Sequence, residues 1–180
     1  LGGTSVESYD AKTGKFLWKQ KIPARSGGES PDLFVVDGVA WPGMIPVDKA
    51  GKRVGKSEDA MVLGFDVRTG EQKQRIVAKK LRSPEHHHRC YRNKATTRYI
   101  ISGMEGAEFL DLAGETHEQD NWLRGACKLG IMPCYGLTYV PPDQCFCQPG
   151  GKLLGYKAVA AGRPENGPVK ERLVKGEAYG

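Results

Sequence analysis

One phrase occurs twice in this chain. Asp10-Ala11-Lys12-Thr13-Gly14 and Asp66-Val67-Arg68-Thr69-Gly70 each follow a short alternating stretch, and each is followed by another. In such a phrase the Asp carboxylate accepts hydrogen bonds from backbone N–H groups ahead of it. The Gly takes a left-handed conformation that a side chain would disfavour. Each copy therefore predicts a strand, a tight turn and a returning strand, over residues 15–22 in one case and 71–77 in the other. The phrase is a hairpin, and its repetition restricts the chain to architectures that use one hairpin more than once.

Looser copies set the period. "AEFLDLAG" places Asp111 after Leu110 and "LLGYKAVA" places Lys157 after Tyr156, as Asp10 follows Tyr9 and Asp66 follows Phe65. From Asp10 to Asp66 is 56 residues, from Asp66 to Asp111 is 45, and from Asp111 to Lys157 is 46. A period of about 45 is that of one four-stranded propeller blade. The excess in the first interval matches the polar stretch "PVDKAGKRVGKSE" over residues 46–58, read as a loop grown on one blade.

Between these marks the strand candidates keep one order. "DLFVVDGVAWPG" turns at Asp37-Gly38 and is followed by "AMVLGFDV" and "EQKQRIVA". The next unit offers "HHRCYRN", "TTRYIISG", "AEFLDL" and a polar strand near "HEQDNWL"; the last offers "KLGIMPCYG", "LTYVPP" and "LLGYKAVA". Short strands bounded by Gly, Pro and Asp, with no sustained helical period, predict an all-β chain. The expected architecture is a partial β-propeller of about three to four four-stranded antiparallel blades in an arc. A two-sheet sandwich would leave the period unexplained. Blades are expected over residues 1–161. Residues 162–180 have mixed charge, Pro164 and Pro168, and read as a linker toward a following domain.

Composition excludes several classes. The net charge of +6 is spread among Asp and Glu along the 180 residues, and the Lys-rich spots lack interleaved aromatics, so nucleic acid is not an expected partner. No apolar run approaches the roughly 18 residues of a membrane helix. The opening Leu1-Gly2-Gly3-Thr4 is no signal peptide, and the true N-terminus, with any export signal, is expected upstream.

The phrase from Tyr9 to Trp18 resembles the repeat of the pyrroloquinoline-quinone (PQQ)-like β-propellers, the quinoprotein and BamB-type family. "HHRCYRNKATTRYII", "GAEFLDL", "NWLRGACKLGIMPCYGLTYVPP" and "KLLGYKAVA" are similar to large exported bacterial PQQ-like repeat proteins, and that likeness covers residues 31–161. The resemblance implies export to the periplasm or beyond. It also implies partnership with the remaining blades of the same chain and with other proteins, and a docking role between blades for Trp18. A non-catalytic scaffold or binding module is the expected function. The alternative is part of a PQQ-dependent oxidoreductase whose catalytic residues lie on blades outside this segment. Such an enzyme would need PQQ with Ca²⁺ held by carboxylate and amide oxygens, a catalytic Asp, an Arg and a tryptophan floor. Here Asp10, Asp66 and Asp111 belong to turns and Trp41 reads as core. Nucleophile-elbow, phosphate-loop and glycine-fingerprint motifs are absent from the sequence.

The cysteines carry the most distinctive chemistry. Cys90, Cys127, Cys134, Cys145 and Cys147 all lie in the second half. Export would favour disulfides, and with five cysteines one is left over within the chain. Links are expected among Cys127, Cys134, Cys145 and Cys147, with connectivity open. His86, His88 and Cys90 are spaced by two, as are Cys145 and Cys147, so each set shares one face of an extended strand. Imidazole and thiolate suit zinc or copper. The simpler and favoured alternative is a polar channel lining with structural or free cysteines. "HHHRCYR" and "CKLGIMPCYG" are expected as first strands of neighbouring blades, bringing His86, His88 and Cys90 to the inner edge near at least two of those four cysteines. His117 is expected at the surface.

Overall fold

The computed structural model describes residues 5–22, 32–43, 45–47, 50, 59–79, 91–103, 106–114, 116–120, 122–142 and 153–162. Within them every regular element is a strand, and all strand pairs are antiparallel. The first sheet is the hairpin of β1 (Ser5–Tyr9) and β2 (Phe16–Lys21) around the first copy of the phrase.

The second sheet is a full blade. β3 (Leu33–Val36) and β4 (Val39–Pro42) join through Asp37 and Gly38, both at positive φ as a two-residue primed turn requires. β4 and β5 (Ile45–Val47) pair with opposite ends of β6 (Asp59–Asp66), so together they form one interrupted second strand. β7 (Gln72–Ala78) returns from the second copy of the phrase along β6. The two copies match in detail: β1–β2 breaks register between Ser8 and Tyr9, and β6–β7 between Gly64 and Phe65, both just before the turn Asp.

The third sheet has the order β8 (Lys94–Ala95), β9 (Tyr99–Ser102), β10 (Ala107–Asp111) and β11 (His117–Asp120). The fourth holds β12 (Met132–Cys134), β13 (Leu137–Val140) and β14 (Lys157–Ala160).

Apolar clusters lie between successive sheets. Val6, Trp18 and Ile22 of the first meet Phe65 of the second. Trp41, Val62 and Ile76 of the second meet Ile100, Leu110 and Leu112 of the third. Ile101 and Ala107 of the third meet Ile131 and Val140 of the fourth. Each cluster thus joins two sheets consecutive in the chain, and the second and third sheets pack against a neighbour on either side, which is the packing of consecutive blades in a partial β-propeller and differs from a sandwich with one shared core.

Three expectations shift. Lys157 is not the fourth copy of the turn Asp: it opens β14. The pairings Val39–Asp66, Tyr99–Asp111 and Leu137–Ala160 put Ala160 in that position, because strand ends are aligned by the ladder rather than by a shared aromatic-polar dipeptide. Among the described residues the first strand of the third sheet is Lys94–Ala95, preceded by Tyr91, Arg92 and Asn93, while residues 86–90 of "HHHRCYR" lie outside them. Cys127 falls in a turn closed by the Ala126–Gly130 bridge, with Lys128 at positive φ, so the fourth sheet starts only at Met132.

Candidate functional site

The repeat aspartates act within their own turns. Asp10 Oδ1 accepts the Lys12 amide at 3.0 Å, the Thr13 amide at 2.7 Å and the Thr13 hydroxyl at 2.8 Å. Asp66 Oδ1 accepts the amides of Arg68 and Thr69 at 2.8 and 3.0 Å. In both copies the Gly amide donates to the Asp carbonyl at 2.8 Å. These bonds hold both carboxyls below the ordinary aspartate value of 3.8, the Thr13 hydroxyl contributing most at Asp10 and the Thr69 amide most at Asp66. Asp111 is a shortened version. Its Oδ1 takes the Ala113 amide at 2.9 Å, and its Oδ2 takes Arg98 Nη2 at 3.3 Å, with the Arg98 guanidinium 5.0 Å over the Tyr99 ring.

Gly70 and Trp18 form a seam. The Trp18 indole is 8% exposed, and its Nε1–H donates to the Val67 carbonyl of the next sheet's turn at 3.0 Å. Gln20 Nε2 donates to the Gly70 carbonyl at 2.8 Å. A Cβ on Gly70 would lie 2.6 Å from Trp18 Cδ2, and its φ is +76°, so both the conformation and the close approach require Gly. Trp41 is 1% exposed and fills the next seam, against the bare backbone of Gly64.

A second junction was not legible in the sequence. Asp32, Asn93 and Ile131 each stand immediately before the first strand of a sheet, and all three are buried. Asp32 Oδ2 accepts the Asn93 amide at 3.2 Å, and Oδ1 meets Arg92 Nε at 3.3 Å, tying the starts of the second and third sheets together. Only the shared position before β3 and β8 could have signalled it.

The third seam, packed around Ile101, Ala107, Ile131 and Val140, also leaves a groove. The groove, of about 720 Å³, runs between the third and fourth sheets, with Tyr99, Phe109 and Val159 on its walls and Glu118, Asp120 and the almost fully exposed Tyr135 around it. Tyr99 and Phe109 meet edge to face at 6.0 Å. Cys134, half-buried at the end of β12, lines the same groove. No disulfide joins Cys134 to Cys127, which is exposed in its turn. His86, His88, Cys90, Cys145 and Cys147 lie outside the described residues, as does the convergence expected of them. Among the described residues no three His, Cys, Asp or Glu side chains gather as a metal site. His117 is half-exposed, its Nε2 2.9 Å from the Lys79 carbonyl.

The set that the resemblance implies for a quinone does not assemble among the described residues. Trp18 and Trp41 are enclosed in seams, Trp122 is exposed, and the Oδ1 atoms of Asp10 and Asp66 are engaged by turn donors. Among the described residues no helix is long and apolar enough to cross a membrane.

No protein-family model matches the chain, and no curated protein matches it. Among solved structures, BamB from Moraxella catarrhalis is similar at 15% identity with a TM-score of 0.30, over 77% of this chain and 50% of that one. The chain therefore spans about half the length of that protein.

Proposed function

We propose that this chain is a PQQ-like β-propeller segment of an exported bacterial protein, a non-catalytic scaffold or binding module in the periplasm or outside the cell. The observation that carries this reading is how the repeat's own chemistry is used. The carboxylates of Asp10 and Asp66 cap turns, and the Trp18 indole and Gly70 lock one sheet onto the next. The repeat residues described here are thus occupied in turns and between sheets, which supports a structural role for this segment. The seams make the stack rigid, and its partners are the remaining blades of the same chain and other proteins. The open third groove, aromatic within and acidic at Glu118 and Asp120, is the face on which a protein partner is proposed to dock.

The test is reconstitution of the full-length protein with PQQ and Ca²⁺, followed by absorbance of the bound quinone and dye-linked alcohol oxidation. The expected result is neither retained quinone nor turnover. Turnover would establish the oxidoreductase alternative, with its catalytic residues on blades beyond this segment.

A further inference from the structure

Two hairpins of this chain turn through the same backbone. Asp37-Gly38, between β3 and β4, has φ values of +48° and +74°, and Tyr135-Gly136, between β12 and β13, has +48° and +76°. Both are two-residue primed turns, whose first position favours Asn, Asp or Gly. Asp37 suits that position. Tyr135 does not, because a bulky side chain at positive φ crowds its own backbone. Nor does Tyr135 belong to a core, since it is 98% exposed. An aromatic side chain that serves neither its turn nor a cluster, at a strained position, is the kind of outlier that points to a contact made with something else.

Tyr135 borders the groove between the third and fourth sheets, and a third-sheet wall of that groove carries a repeated arrangement. Tyr99 stands opposite Asp111 in the β9–β10 ladder, and Phe109 stands opposite Glu118 in the β10–β11 ladder. Phe109 and Asp111 are two apart on β10, so both ring and carboxylate pairs lie on one face. The first pair already holds a guanidinium: Arg98 lies 5.0 Å over the Tyr99 ring, and its Nη2 meets Asp111 Oδ2 at 3.3 Å. Among the described residues no Lys or Arg pairs with Glu118. The charged side chains in the described lining of the groove are Glu118 and Asp120, both acidic, on a chain whose net charge is +6. At about 720 Å³ the groove takes more than one side chain.

We propose that the groove binds an extended segment of a partner protein through one arginine, whose guanidinium pairs with Glu118 beside the Phe109 ring as Arg98 pairs with Asp111 beside Tyr99, while Tyr135 packs on the segment from the β12–β13 turn. A guanidinium stays charged, lies flat on a ring and takes a carboxylate through two N–H groups, which the ammonium of lysine does not. The inference rests on the docking reading given above and names the chemistry of the partner.

Amide NMR of the full chain, titrated with the capped peptide Gly-Leu-Arg-Leu-Gly to millimolar concentration, tests it. Saturable shifts are expected at Phe109, Glu118, Tyr135 and Gly136, and binding is expected to weaken about tenfold when glutamine replaces the peptide's arginine. Glu118→Gln is expected to weaken binding of the arginine peptide about tenfold. Tyr135→Asn separates binding from folding: asparagine suits positive φ, so the thermal midpoint is expected to hold or rise while affinity falls about tenfold. Equal binding of the arginine and glutamine peptides, with the same groove shifts, overturns the arginine contact and leaves the docking face standing. Absence of groove shifts with both peptides overturns the docking face itself. Wild-type affinity in Tyr135→Asn overturns the part given to Tyr135. Binding that appears only after removal of residues 163–180 overturns the foreign partner, because the chain's own end would then be the occupant.

Discussion

The first and third seams are one junction filled in two ways. In β2, β7 and β11 the residue opposite the position two before the turn Asp is Trp18, Gln74 and Glu118. Where it is Trp, the side chain crosses to the next sheet, buries its ring against a Gly and donates its N–H to a turn carbonyl. Where it is Glu, it stays in solvent and a groove opens beside it. The backbone repeat thus fixes where sheets meet, while side chains differ in how they fill the meeting: Trp18 fills the first seam and Trp41 the second, and a groove lies beside Glu118 at the third.

The sharpest way to break this contrast is to remove the indole. Trp18→Ala should cost about 3–5 kcal/mol, the usual range for truncating a buried aromatic, read by denaturant unfolding followed by circular dichroism. A loss under about 1 kcal/mol would show that the seam does not depend on the ring.

Gly70→Ala should cost about 3 kcal/mol, combining left-handed strain with a Cβ driven into Trp18. Gly14 has φ +70°, but a Cβ there would have nothing within 4 Å, so Gly14→Ala should cost only about 1 kcal/mol. Equal losses at the two glycines would mean that Gly70 is retained for its conformation alone. In the Trp18→Ala background the Gly70 cost should fall toward that of Gly14, a coupling measurable by a double-mutant cycle.

Converting the third seam toward the first is a gentler change. Glu118→Trp should fill part of the groove and add about 1 kcal/mol, within the usual range for cavity filling. An unchanged or lowered unfolding midpoint would show that the groove is not the counterpart of the sealed seam.

Acid gives the smallest effect, because both turn carboxylates are half-buried and screened by nearby solvent. Asp10 and Asp66 have folded values below their ordinary one, so the stability they contribute is present above that ordinary value. It is lost as pH falls through the folded values, a window at and below 3.8. The unfolding midpoint of the wild-type chain should therefore decline below that pH, and the Asp10→Asn, Asp66→Asn double variant should decline less. Identical pH profiles would remove the turn carboxylates as the cause.

The sequence alone determined the turns and the strand alternation, since each rests on contacts within a few residues. Asp10 and Asp66 reach donors two and three positions ahead, and Asp37-Gly38 needs only its own dihedrals. Tertiary structure decided the rest. Trp18 finds Val67, 49 residues away, and Asp32 finds Asn93, 61 residues away, through sheet stacking that no local pattern encodes. Ala160 rather than Lys157 closes the third strand of the last sheet because its ladder with Leu137 sets the alignment. Turn chemistry is local and can be read along the chain, whereas the seams follow from which buried faces meet, and that is fixed only when whole sheets pack.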